Sequence, residues 1–210
     1  AVARAMPCVL AIYTAADLAS GGIGPLPPRQ IMKNRDGTPM LTPPRHALAT
    51  DKVRFAGDPV AAVAAVDRAT AEDAVDLIEV EYESMPAVVD PYAAIEAKSP
   101  FVFEELGSNV VWRDSFTYGD VVGGFSRARH TVSERFSVHR YVSTALETMG
   151  VIARWENDGL TLWCNDQRPG FAMQAIAAAL ELPQSRIRII APDIGGGFGN
   201  KRKATYLVIA

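Results

Sequence analysis

The sequence predicts an α/β (α+β) protein made of two mixed units in series. Three observations carry this reading. Apolar strand-like runs alternate with capped helical stretches over the first hundred residues. Asn157-Asp158-Gly159 separates two further apolar runs and is a strong hairpin signal. An alanine-rich helical stretch, residues 170–180, then feeds a strand that runs into a loop with four glycines in five positions. At 210 residues and 49% hydrophobic composition, the chain has enough apolar material for a core.

Taken in order, residues 9–13 (VLAIY) read as a buried strand, and Thr14 is placed to cap a short helix containing Ala15, Ala16 and Leu18. Residues 21–44 hold six of the fourteen prolines and four of the sixteen glycines, so they predict a long loop with a turn at Asp36-Gly37. Val53 and Phe55 alternate with polar neighbours, and a Gly57-Asp58-Pro59 turn leads into the apolar run 59–66. Thr70-Ala71-Glu72-Asp73 fits a capping box, which starts a helix at Thr70 with Ala71, Ala74, Val75 and Ile78 at helical spacing. Residues 79–83 (EVEYE) switch to period two and predict a half-buried strand with its glutamates outward. The alternation accounts for those carboxylates without acid/base chemistry.

Residues 96–109 read as a linker broken by Ser99-Pro100 and Gly107-Ser108. Beyond it, Val132, Phe136 and Val138 are assigned to one strand face. Residues 151–155 and 160–164 form the hairpin, and Leu182-Pro183 stops the alanine-rich helix. Residues 186–190 alternate Arg186 and Arg188 with Ile187 and Ile189, the pattern of a strand.

That strand leads to Asp193-Ile194-Gly195-Gly196-Gly197-Phe198-Gly199-Asn200-Lys201. A loop stripped of side chains either turns tightly or lets a ligand lie against bare backbone. Counting removes two familiar ligands. A Walker phosphate loop started at Gly195 would need glycine at Asn200 and Ser or Thr at Arg202. The dinucleotide fingerprint would need its last glycine at Asn200 or Arg202.

A net charge of -3 gives no electrostatic footprint for nucleic acid. Lys201-Arg202-Lys203, the one tight basic run, either faces an anionic ligand or forms a solvated patch, the latter being the simpler reading. No apolar stretch approaches the roughly 20 residues of a membrane span, and there is no signal-peptide pattern at the N-terminus. Cys8 and Cys164 are too far apart for a metal-ligand spacing and are expected to be small buried residues. His46, His130 and His139 are isolated. The opening without Met and the apolar close at residues 206–210 suggest a piece of something longer, in a reducing, cytoplasmic setting.

The order of four passages resembles the molybdenum-binding large subunit of the xanthine dehydrogenase/aldehyde oxidase family, particularly the carbon monoxide dehydrogenase-like large subunits. Residues 5–9 (AMPCV) lead to 13–18 (YTAADL); residues 53–66 (VRFAGDPVAAVAAV) lead to 71–82 (AEDAVDLIEVEY). Leu146-Glu147-Thr148, residues 160–163 (LTLW) and Gln167-Arg168-Pro169 form the third passage, and the glycine loop is the fourth. The resemblance implies a hammerhead α/β domain over residues 1–97, a linker over 98–114, and the first part of a molybdopterin-binding domain over 115–210.

It further implies that Gln167 hydrogen-bonds an oxygen ligand of molybdenum and that Phe198 lies beside the metal and substrate channel. The amides of Gly196, Gly197 and Gly199 are expected against the molybdopterin cofactor, in its cytosine dinucleotide form. No direct metal ligand and no catalytic residue is expected in this chain; the family's general-base glutamate would lie beyond residue 210. Glu147 does not match that base and is expected to be a buried, hydrogen-bonded structural acid.

The implied activity is oxidation of aldehydes, N-heterocycles or carbon monoxide, with FAD and [2Fe-2S] clusters on partner subunits in a dimer of heterotrimers. The chain alone is expected to be inactive, and whether it holds any cofactor by itself stays open. The alternative is a non-catalytic interaction module that retains the hammerhead fold. Two positions depart from the family pattern: Cys8 replaces a glycine, and Asp166 replaces a Thr or Ser before Gln167.

Overall fold

A computed structural model describes residues 2–28, 30–202 and 207–208. The first half is built around a two-stranded antiparallel ladder. Helix α1 (Val2–Ala5) precedes strand β1 (Val9–Tyr13), and helix α2 (Ala15–Ser20) follows it. The Asp17 carboxylate accepts both the N–H and the hydroxyl of Thr14 at 2.7 Å, which fixes the start of α2 as the sequence indicates. Strand β1 pairs with β2 (Ala62–Ala65), from Val9 opposite Ala65 to Tyr13 opposite Ala62. Helix α3 (Arg68–Asp76) packs on this ladder through Ala74, which is fully buried.

Three sequence expectations in this half need correction. Helix α3 starts two residues before Thr70, because Asp67 is its cap and accepts the Thr70 N–H at 2.8 Å. Residues 79–83 form no strand and are exposed, since alternation supplies a face but no neighbouring edge to complete the ladder. Cys8 is exposed rather than buried, and its φ of 69° is one that favours glycine. That conformation explains physically why a glycine suits this position.

The long loop after α2 is irregular as expected, with its turn closed by Gly37 at φ 85° and a Lys33–Pro39 bridge. Helix α4 (Pro91–Ala94) precedes the linker-like region, and a 3-10 turn (Glu104–Leu106) interrupts it. That region is stapled down: Asn109 Nδ2 donates to the Ala94 and Pro100 carbonyls at 2.9 Å, and Arg54 Nε donates to the Val102 carbonyl at 3.1 Å.

Helix α5 (Val121–Arg127) opens the second half. The strand expected through Val132, Phe136 and Val138 is absent and all three side chains are largely exposed. Among the described residues no strand edge lies beside them to accept their backbone bonds. The hairpin forms as the sequence indicates. Strands β3 (Val151–Glu156) and β4 (Gly159–Cys164) flank Asn157 and Asp158, whose φ values of 48° and 57° are those of a type I′ turn.

Helix α6 (Pro169–Ala179) carries proline at its first position, and strand β5 (Ile187–Ile190) then pairs parallel to β4. The sheet order is β3-β4-β5, with β4 in the centre. Its alternate residues Leu160, Leu162 and Cys164 face Ala172, Ile176 and Ala179 of α6, with Ile187 of β5 beside them. Leu26 and Ala47 from the first half, with Leu207 and Val208, close this core. The buried Leu207 and Val208 fit the apolar close read from the sequence, while Tyr206, Ile209 and Ala210 lie outside the described residues.

Candidate functional site

Topology brings three segments to one edge of the sheet. Strands β4 and β5 are parallel, so the segments leaving their carboxyl ends, 165–168 and 191–201, emerge side by side. Strand β3 is antiparallel to β4, with Val151 opposite Cys164, so residues 143–150 enter at the same edge.

Hydrogen bonds join these segments. Asn165 Nδ2 donates to the Thr148 carbonyl at 2.7 Å, and its Oδ1 accepts the Gly150 N–H at 3.1 Å. The Gln167 N–H donates to the Lys201 carbonyl at 2.8 Å. Glu147 Oε2 accepts the Gly195 N–H at 2.8 Å and also the Lys201 ammonium. Ser143 Oγ donates to the Phe198 carbonyl at 3.3 Å.

The loop's glycines have separate reasons. A Cβ at Gly195 would sit 2.6 Å from Glu147 Cβ, and one at Gly197 would sit 2.4 Å from Gln167 Cδ. The absent side chains at these positions therefore make room for the chain's own acid and amide. Gly196 and Gly199 have φ values of 84° and 83°, where only glycine is unstrained. Phe198 itself adopts φ 48° and is 75% exposed.

The Gly196 amide is spent on the Ile194 carbonyl at 2.9 Å. Among the described residues the N–H groups of Gly197, Phe198 and Gly199 donate no hydrogen bond. Gly197 is buried under the Gln167 side chain, but Phe198 and Gly199 are exposed, and their two amides beside an exposed Gln167 form a surface suited to an anionic or strongly polar ligand.

Electrostatics at this edge differ from the sequence expectation in two ways. Lys201 is 2% exposed, so it belongs to no solvated patch; Lys203 lies outside the described residues. Glu147 is hydrogen-bonded as expected but half-buried rather than buried. The Lys201 hydrogen bond, followed by the Gly195 amide, holds its carboxyl below the usual carboxylate range. An ionised, doubly engaged carboxylate is a poor base, in keeping with a structural role.

Asp166 is buried, and its Oδ1 accepts the Arg168 N–H at 2.7 Å. A Ser or Thr hydroxyl can make the same local bond, so the substitution preserves the turn into α6. Burial pushes the Cys164 thiol up, which suits an inert core residue. Among the described residues no cluster of His, Cys, Asp and Glu could hold a metal, and no helix is long and apolar enough to cross a membrane.

A cavity of about 360 Å³ opens nearby, lined by Arg45, Arg168 and Arg202 among others, but neither Gln167 nor the glycine loop lines it. It is therefore distinct from the face presented by the free amides. Sequence reasoning missed Asn165 and Ser143, whose roles depend on segments that meet only in the fold.

A family profile described as "Molybdopterin cofactor-binding domain" matches residues 102–210, just over half of the chain. The chain belongs to this molybdopterin cofactor-binding family. Residues 1–86 match a second profile, "Aldehyde oxidase and xanthine dehydrogenase, a/b hammerhead domain".

Among family members, the nicotine 6-hydroxylase large subunit of Paenarthrobacter nicotinovorans is 36% identical over 201 residues, covering 95% of this chain and 24% of the relative. The carbon monoxide dehydrogenase large chain of Afipia carboxidovorans is 36% identical over 217 residues, covering 95% of this chain and 25% of the relative. A solved structure of reconstituted CO dehydrogenase from Oligotropha carboxidovorans aligns with TM-score 0.82 at 32% identity, over 99% of this chain and 27% of that one. Quinoline 2-oxidoreductase from Pseudomonas putida 86 aligns with TM-score 0.79 at 35% identity, over 95% and 25%. The chain thus spans about a quarter of the length of the curated relatives it matches.

Proposed function

We propose that this chain is part of the large subunit of a molybdenum hydroxylase, an oxidoreductase acting on aldehydes, N-heterocycles or carbon monoxide. Residues 193–201 and Gln167 form one wall of its molybdopterin site. The observation that carries this reading is the pair of exposed amides at Phe198 and Gly199, which donate to none of the described residues, beside the exposed Gln167. The donor set fits the group: a molybdopterin cofactor is anionic and rich in acceptors, and bare amides offer donors without steric bulk.

When bound, the cofactor supplies the redox and oxygen-transfer chemistry, as cofactors generally carry the hard step. The chain's own residues bind and orient. The amides of Phe198 and Gly199 would donate to polar atoms of the cofactor, and the Gln167 side-chain amide would hold it by a further hydrogen bond. The Phe198 ring, exposed at the loop tip, shields one side of the substrate path from water. Glu147 takes no proton, because its charge is committed to Lys201 and Gly195. The general base is contributed from beyond residue 210, so the chain alone is inactive.

In this reading the hammerhead domain spans residues 1–97, a linker spans 98–114, and the molybdopterin-binding domain starts at 115. The cofactor is the cytosine dinucleotide form. Partner subunits carry FAD and [2Fe-2S] clusters in a cytoplasmic dimer of heterotrimers. Names of relatives support the substrate classes: nicotine and quinoline are N-heterocycles, and carbon monoxide is the third. The test is expression of the complete reading frame followed by elemental and pterin analysis. About one molybdenum per protein is expected from one site; protein folded and free of both molybdenum and pterin overturns the reading.

A further inference from the structure

We propose that Glu147 and Lys201 are positioning residues: together they latch the glycine loop and Gln167 into one rigid unit that presents both to the cofactor. This rests on the molybdopterin reading above, and it goes beyond it by assigning roles to two residues that touch no ligand.

The chemistry of burial makes the pair unusual. Lysine is among the side chains least often buried, and an ammonium removed from water is costly unless paired. Lys201 is 2% exposed and lies in the loop that follows β5. Its partner Glu147 uses a single oxygen, Oε2, for both the Lys201 ammonium and the Gly195 N–H. One carboxylate therefore grips the loop at its first glycine and again just past its last.

Packing limits its alternatives. Glu147 Cβ would lie 2.6 Å from a Cβ at Gly195, so the acid sits directly against the loop backbone. The second half of the latch is in the main chain. The Lys201 carbonyl accepts the Gln167 N–H at 2.8 Å, so whatever fixes Lys201 also sets the height of Gln167. The Gln167 side chain in turn fills the space left by Gly197. Loosening the ion pair should therefore free the loop and Gln167 together, while β4 and α6, held by the core, stay in place.

The test uses the complete protein with Glu147→Ala, Glu147→Gln, Lys201→Met and Lys201→Arg, followed by amide hydrogen exchange and by molybdenum and pterin content. Glu147→Ala and Lys201→Met should exchange about tenfold faster over residues 165–168 and 194–201, the factor for losing roughly one hydrogen bond's stabilisation. Exchange in β4 and α6 should be unchanged, and molybdenum occupancy should fall severalfold. Lys201→Arg, which keeps the charge, should retain wild-type occupancy. Glu147→Gln, which keeps an acceptor for Gly195, should fall between and remains informative if the alanine variant does not fold.

A uniform rise in exchange across the core, or full occupancy in Glu147→Ala, overturns the latch. So does an equal loss in Lys201→Arg and Lys201→Met. Wild-type protein without molybdenum would instead sink the cofactor reading, and the exchange pattern would still decide the latch on its own.

Discussion

Replacing Gly197 by alanine isolates one packing contact that governs the candidate site. A Cβ there would lie 2.4 Å from Gln167 Cδ, 2.6 Å from Oε1 and 2.8 Å from Cγ. Carbon atoms pack at about 3.5 Å or more, so Cδ must retreat by about 1.1 Å (3.5 − 2.4). Overpacking a well-filled site costs about 1–3 kcal/mol. Gln167 is exposed and can rotate outward, which places the cost near the lower end, about 1–2 kcal/mol.

A double-mutant cycle reads this directly. Urea denaturation of wild type, Gly197→Ala, Gln167→Ala and the double variant should give a coupling of about 1–2 kcal/mol. The glycine substitution should be nearly neutral once Gln167 is alanine. Strictly additive effects would show that Gly197 is needed for some other reason. Bulkier Gly197→Val, for the same cause, should eject Gln167 entirely and depress molybdenum content in the complete protein.

Three further outcomes are expected of the same fold. Ile176→Ala, at a fully buried position facing β4, should cost about 2–5 kcal/mol by chemical denaturation, and a loss under 1 kcal/mol would contradict the core described here. Asp158→Gly and Cys8→Gly each relieve a left-handed residue, at φ 57° and 69°, and should each stabilise by about 1 kcal/mol, raising Tm by about 2–4 °C. The Glu147 carboxyl is held below its ordinary value, so its contribution is present above the unfolded value and lost as pH falls through the folded one. The protection of the Gly195 amide, taken relative to its intrinsic exchange rate at each pH, should therefore fall in acid, and Glu147→Gln should flatten that dependence; an NMR-measured carboxyl pKa at or above the ordinary value refutes it.

Local chemistry made much of the fold legible. Asn157-Asp158-Gly159 forced its hairpin because both turn residues tolerate positive φ. Thr14 marked the start of α2, and the alanine-rich run marked α6, which begins one residue earlier than read, at Pro169. Failures came where a strand depends on a neighbour. Residues 79–83 and the stretch through Val132, Phe136 and Val138 alternate correctly but have no adjacent edge among the described residues. At α3 the capping-box pattern pointed to Thr70, but Asp67 is the cap because its carboxylate reaches the Thr70 N–H.

The site was legible as a list of residues but not as a mechanism of placement. The glycine cluster and Gln167 stood out by composition and motif order. Their mutual contact did not, since β4 and β5 become neighbours only through the α6 crossover. Lys201 illustrates the limit well. In a run of three basic residues it resembles a solvated charge, yet a glutamate fifty-four positions earlier draws it inside.

The most direct test of the central claim is a crystal structure of the complete protein with its cofactor. The expected result places the amides of Phe198 and Gly199 and the side chain of Gln167 within about 3.2 Å of cofactor atoms. A cofactor bound elsewhere, with these amides facing solvent or other parts of the polypeptide, would contradict the account.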